Sequence, residues 1–278
     1  MKADLKRIRF DKAGAQRYFD IVSLSELISR KVVDHNQFEN HQLTFYALLV
    51  ITRGRGIHSV NFKDYDFDRG TVLAIGPDSI HKFHRGDAEG VLLVFTEDFL
   101  LQHFGEKNAP KIFQLFNEHL APPKQQLSEA DFIKLQFYIK TITEEFQHDN
   151  DNFSLEVIGS LLHIIVTQLL RIKSSENVVF TRTKYLSQYL VFQALIEKHS
   201  DQQLSVADYA NKLCITSRSL NNITNSIVSK SAKAVVDEAV IFKVKCLLIN
   251  SESTIAQIAF KTGFKEPSHL SKFFKKLT

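Results

Sequence analysis

Residues 253–276 read STIAQIAFKTGFKEPSHLSKFFKK: apolar positions at helical spacing, one Gly-Phe interruption, and a basic end. Thr254 with Gln257 three residues on forms a capping box, so a helix is expected to start there. Ile255, Ile258 and Ala259 give that helix a buried face, and Ala259 is small enough for a second helix to cross closely. Gly263 supplies a sharp turn with positive φ, and Phe264 fills the space between the helices. Pro267 is tolerated in the first turn of the second helix, where N–H groups have no intrahelical partner. Leu270, Phe273 and Phe274 face inward there, while Ser268, Ser271 and Lys272 face out. Lys275 and Lys276 lie at the negative end of the helix dipole. These are the features a helix-turn-helix needs to put a polar helix face into a major groove while lysines meet phosphates. A helical hairpin in an ordinary bundle shares many of them.

A second copy lies upstream. Residues 204–226 read LSVADYANKLCITSRSLNNITNS, with Ser205 as N-cap and Asp208 in the capping-box position. Ala210 and Cys214 match Ala259 and Gly263, Thr216 caps the next helix, and Leu220 matches Leu270. The copies are about 49–50 residues apart, and residues 231–251, SAKAVVDEAVIFKVKCLLINS, are long enough for one connecting helix. The charge follows the same division. Residues 1–199 carry 24 basic and 25 acidic side chains, whereas residues 200–278 carry 11 and 6. The basic excess is C-terminal and suits a polyanionic partner.

The whole chain has 278 residues, 44% hydrophobic and 24% charged, which fits a globular protein of two domains. The N-terminus is charged and has no apolar core of a signal peptide. No 18-residue run is free of charge, so no membrane-spanning helix is expected. Cys214 and Cys246 lie in helical segments without metal-ligand spacing and fit a reducing cytoplasm.

Residues 41–96 carry short β-branched and aromatic runs punctuated by RGRG, FKDYD, DRG and GPDS, the pattern of a sandwich or barrel. From residue 97 the period becomes helical. A short helix covers 97–104, a second starts after the N-cap Ser128, and a third, apolar on a wide face, starts at Ser154. The central helices are expected to make either a dimer contact or core packing within the chain. Residues 174–181 read as a linker.

The two C-terminal segments together resemble the DNA-binding domain of the AraC/XylS transcriptional regulators. The second unit follows that family's pattern of Ile-Ala, Gly-Phe, Ser-x-aliphatic and Phe-Lys closely. The first departs from it: Cys214 stands where Gly is usual, Asn222 where Arg is usual, and Thr224 where Phe is usual. The resemblance implies two recognition helices in successive major grooves, ~34 Å apart. It places Thr216, Ser217, Arg218, Asn221 and Asn222 of the first unit, and Lys265, Glu266, Pro267, Ser268, Ser271, Lys272 and Lys276 of the second, against double-stranded DNA. Family members usually continue past Phe-Lys-Lys with another short helix, so the end at Thr278 is expected to leave Phe273, Phe274 and Leu277 less covered.

Residues 70–83, GTVLAIGPDSIHKF, are similar to the cupin pattern, with Pro77 and His81 in the expected places. The expected fold class is therefore α+β. A cupin-like β-barrel sensor (1–105) precedes a helical dimerisation segment (106–175) and an all-α domain of two helix-turn-helix units (181–278). Tyr46, Arg53, Arg55, His58 and His81 are candidates to line a small-molecule effector pocket, where an arginine would favour an anionic group. His58 lacks the H-x-H partner of cupin metal sites, and His81 and His84, three apart on one strand, point to opposite faces. No metal, cofactor or catalytic residue is expected. The resulting expectation is a cytoplasmic, effector-responsive transcription regulator, a homodimer that contacts RNA polymerase if it activates. The rivals are a metal-dependent cupin enzyme with a helical appendage, and a scaffold using its helical half to bind protein.

Overall fold

The apolar run Tyr46–Ile51 is buried at every position, because the strand that contains it is covered on both faces. The computed structural model describes residues 6–10, 18–29, 36–105, 114–118, 120–147, 153–176, 185–250 and 253–278. The chain divides into two units, Lys6–Asn177 and Val178–Thr278.

In the first unit the strands are β1 (Lys6–Ile8), β2 (Phe19–Ser23), β3 (His41–Leu43), β4 (Tyr46–Arg53), β5 (Arg55–Val60), β6 (Lys63–Asp68), β7 (Thr71–Ile75), β8 (Ile80–Phe83), β9 (Glu89–Phe95) and β10 (Lys124–Gln126). They form two five-stranded sheets, β1-β3-β8-β5-β6 and β10-β7-β4-β9-β2. The fold class is α+β, as expected. The sheet region is a two-sheet sandwich among the described residues, where a closed barrel was the expectation. The reason is local: the chain crosses from one sheet to the other at tight corners. At Gly54, between β4 and β5, φ is +76° and an added Cβ would lie 2.9 Å from Ala88 Cα. Only glycine fits that corner without strain.

Alternation along the strands sorts two cores. Leu43, Val60, Phe67 and Phe83 from one sheet cluster with Ala47, Leu49, Ile51, Leu73, Ile75, Leu92 and Val94 from the other. The opposite face of the second sheet contributes Tyr46, Leu48, Val50, Val72, Leu93 and Phe95 to a separate cluster. That cluster is closed by α2 (Glu97–Phe104), α3 (Glu129–Gln147) and α4 (Ser154–Glu176), after a short α1 (Leu24–Ser29). Ser128 caps α3 as expected: Asp131 N donates to its hydroxyl at 3.2 Å. The central helices thus pack on the sheet of their own chain.

One helix has the length of a membrane span yet packs in the core. Ser154–Ser175 is long and apolar enough to cross a membrane by length and composition alone. Glu156 and Arg171 bracket its apolar stretch. Leu162, Ile165, Val166 and Leu169 bury its inner face against the sheet, as a core helix does.

The second unit is helical: α5 (Leu186–Lys198), α6 (Val206–Lys212), α7 (Ser217–Val228), α8 (Ala232–Asn250), α9 (Ile255–Lys261) and α10 (Pro267–Leu277). Phe192 and Tyr209 are fully buried and meet edge to face at 5.6 Å. The long α8 packs on α7 and on α9, tying the two helical pairs together.

Candidate nucleic-acid interface

The two helical pairs share their hydrogen bonds as well as their pattern. In the first, Ser205 and Asp208 form a reciprocal capping box, with Asp208 N to Ser205 Oγ at 3.2 Å and Ser205 N to Asp208 Oδ2 at 2.8 Å. The bonds from Ser205 hold the Asp208 carboxyl below its ordinary range. In the second, Gln257 N donates to Thr254 Oγ1 at 3.3 Å and Thr254 N to Gln257 Oε1 at 2.8 Å. The turns then match bond for bond. Ile215 N reaches Ala210 O at 3.0 Å, and Phe264 N reaches Ala259 O at 2.9 Å. Cys214 and Gly263 both take positive φ, 55° and 77°. The offset is 49 residues up to this point. It becomes 50 because Lys265 is an extra residue before the N-cap Glu266 of α10, where Thr216 caps α7 directly.

Behind each second helix the apolar side chains are buried: Leu220, Ile223 and Ile227 on α7, and Leu270 on α10. Phe264 lies between the helices of the second pair, with its ring 5.3 Å from Phe273. Leu277 is exposed, and Phe273 and Phe274 are half-buried.

The outward faces differ between the pairs. On α7, Arg218, Asn222 and Asn225 are exposed at i, i+4 and i+7, and Ser217 is half-buried. Thr216 is exposed, but its hydroxyl caps Ser219 N at 3.1 Å. Asn221 does not join this face as a free amide. Its Nδ2 donates to Ser217 O at 2.9 Å and its Oδ1 accepts from Ala232 N at 3.0 Å. It therefore ties α7 to the start of α8, and both ends that a bidentate adenine contact needs are engaged. On α10, Pro267, Ser268, Ser271 and Lys272 are exposed, as are Lys265, Glu266 and Lys276. Pro267 opens the helix. Ser271 Oγ donates to Pro267 O at 3.0 Å, and Ser268 Oγ to Glu266 Oε2 at 3.1 Å. Among the described residues, Arg218, Lys265, Lys272 and Lys276 form no ion pair. The second pair thus carries most of the exposed positive charge and the first carries exposed amides.

The effector candidates of the other unit separate. His58 (0% exposed) and His81 lie together inside the sandwich, their rings 5.4 Å apart. His41, which the sequence reading passed over, is also buried and pairs across from His81. His81 was expected to face away from His84, and His84 does lie apart from the row, with Nε2 2.7 Å from Ser59 Oγ. Tyr46 belongs to the other core, stacked on Phe95 at 5.8 Å. Arg53 is exposed and pairs with Glu89 at 3.4 Å. Arg55 is exposed in a shallow groove with Gly54, Asp68, Arg69 and Asp87. Both arginines are thus exposed, whereas His58 and His81 are buried. Both ring nitrogens of His58 are buried without a hydrogen-bond partner. Burial, with the charge of His84 adding to it, pushes this imidazole from 6.5 down to about 3. Among the described residues, no group of three or more His, Cys, Asp and Glu is arranged to hold a metal ion.

Comparison with known proteins follows this division. Residues 209–278 match a family model described as a helix-turn-helix domain, and residues 25–93 match one described as an AraC-like ligand binding domain. The HTH-type transcriptional activator RhaR of Mannheimia succiniciproducens is 22% identical over 240 residues, covering 86% of this chain and 83% of that protein. The HTH-type transcriptional activator RhaS of Klebsiella pneumoniae is 21% identical over 252 residues, covering 86% and 84%. Among solved structures, ToxT from Vibrio cholerae gives a TM-score of 0.46 at 13% identity, covering 94% of this chain and 95% of that one.

Proposed function

Because the chain belongs to the AraC/XylS family of transcription regulators, we propose that its two helical pairs bind two half-sites of one DNA duplex under the control of a small molecule. The observation that carries the reading is the repeated pair itself, with matching caps, matching turns and a polar face on each second helix. DNA binding is the family's activity, and the finer assignment concerns residues. Arg218 and Asn222 read base edges from α7. Lys265, Ser268, Ser271, Lys272 and Lys276 supply phosphate and edge contacts from α10. Asn221 holds the reading helix in place.

The effector is proposed to bind between the two sheets beside His58 and His81. A polar ligand there would satisfy the two ring nitrogens of His58, which are buried without a hydrogen-bond partner and are costly to leave so. The criterion is a ligand that raises the melting temperature of the wild type but not of His58→Leu. The relatives are named activators, and we carry that role over, with RNA polymerase as the protein partner, the cytoplasm as the site of action and no covalent chemistry. Homodimerisation is proposed through α3, where Ile133 (56% exposed) and Phe137 (66% exposed) lie one turn apart on the outer face. Sedimentation over a concentration series reads it, and a monomer at all concentrations would remove this part.

The DNA reading is tested by selecting bound sequences from random duplexes and then measuring affinity against salt. Between 50 and 200 mM salt, affinity for the selected site should fall by roughly 10-fold or more. Lys272→Ala should weaken every duplex and flatten the salt slope by about 1. Arg218→Ala should relax one selected position. A salt-independent affinity, or selected sites that neither change alters, would sink the assignment.

A further inference from the structure

Glu266 is a carboxylate on a face otherwise rich in lysine. It lies beside Lys265 at the start of α10, and its side chain is 64% exposed. On a surface that closes on phosphates, a negative charge weakens association. Glu266 is not engaged in holding its own helix. It occupies the N-cap with φ −134° and ψ 140°, yet its side chain makes no cap bond. Its Oε2 instead accepts from Ser268 Oγ at 3.1 Å and lies 3.8 Å from His269 Nε2, an ion pair when that imidazole is protonated. Oε1 makes no hydrogen bond among the described residues. The carboxylate is thus an oriented acceptor at the leading end of the helix proposed to enter the groove.

The donor pattern of the major groove narrows what it can meet. Guanine offers two acceptors there and thymine one, all of which repel a carboxylate. Adenine offers an amino donor beside the N7 acceptor, and cytosine offers an amino donor alone. We propose that Glu266, positioned by Ser268 and His269, accepts a hydrogen bond from the N4 amino group of a cytosine in the half-site taken by α10. It thereby sets base preference at one position at some loss of overall attraction. This rests on the reading that α10 enters the groove.

The test uses the full chain and four duplexes that differ only at the selected cytosine pair. The wild type should prefer cytosine by roughly 10-fold. Glu266→Ala should remove that preference while leaving other positions unchanged. Glu266→Gln should move it toward adenine, which an amide meets in bidentate fashion. Ser268→Ala should reduce the preference with an unchanged urea midpoint. If Glu266→Ala tightens all four duplexes equally and the preference survives, Glu266 only repels phosphate and the proposal fails. Lys272→Ala separates the two levels. If it weakens every duplex while Glu266→Ala leaves base preference intact, only the cytosine contact is lost. If neither variant changes binding, the groove reading falls, and this proposal falls with it.

Discussion

Lowering the pH from 7 to 5 will destabilise the sandwich unit by ~2 kcal/mol through His58 alone, and the loss will reach ~3 kcal/mol by pH 4. His58 is fully buried on β5, where its strand neighbours place Tyr65 on one side and Phe83 on the other. Its ring lies 5.4 Å from that of His81 and 4.4 Å from that of Phe83. Burial, then the charge of His84, lowers its pKa to about 3, against 6.5 for an open chain. The unfolded chain therefore takes up a proton at higher pH than the folded one. The penalty is absent above 6.5, grows as the pH falls below it, and levels off under about 3. Each unit of difference corresponds to ~1.4 kcal/mol.

Carboxylates also titrate in this range, so the measurement is a difference. Urea unfolding of the wild type and His58→Leu is followed from pH 7.5 to 4.5. The variant loses the steep part of the acid dependence, and at neutral pH it is at least as stable, because two unbonded nitrogens leave the core. Parallel stability curves for the two proteins would show that His58 is solvated or bonded in solution and would overturn the interior row.

Of that row the sequence offered His58 and His81 as pocket candidates but not His41 or the burial of all three, whereas the turn at Gly263 was legible. Caps, turn and buried positions of the helix-turn-helix pairs are set by residues within five positions of one another, so spacing alone reveals them. The same holds for the strands from Tyr46 to Phe95. His58 stands 17 positions after His41 and 23 before His81. Only the pairing of β3, β8 and β5 brings them onto one inner face. Strand parity separated His81 from His84 correctly but could not say which face was buried. Likewise β1, β2 and β10 lie outside the strand-like stretch, and their pairing partners are distant. The engagement of Asn221 within the fold was hidden for a related reason: its second partner, Ala232 N, lies across the turn into α8. Side-chain type predicts what an amide can bond, and tertiary packing decides what it does bond.

The same contrast between local and distant causes makes Gly263→Ala a strongly damaging change in the DNA-binding unit although it adds only one methyl group. Positive φ at this turn costs a non-glycine residue ~1–2 kcal/mol. Cys214 bears that cost in the first pair, where φ is 55°. Gly263 carries a second constraint. A Cβ there would lie 2.7 Å from Asp201 O and 3.0 Å from Gln203 N, both in the loop before α6. Gln203 Nε2 also donates to Thr262 O at 2.7 Å, so the turn of the second pair is seated on the backbone that leads into the first. An added methyl meets backbone rather than a movable side chain, and overpacking of that kind adds ~1–3 kcal/mol. The sum, ~2–4 kcal/mol, should appear as a lower urea midpoint with an unchanged slope. Displacement of α9 and α10 should also weaken DNA binding by more than Lys272→Ala does. Cys214→Gly is the control: it relieves the strained conformation and should stay within ~1 kcal/mol of the wild type. Should Gly263→Ala prove as mild as Cys214→Gly, the turn is not seated on residues 201–203, and the two helical pairs are not held in one fixed relation to the duplex.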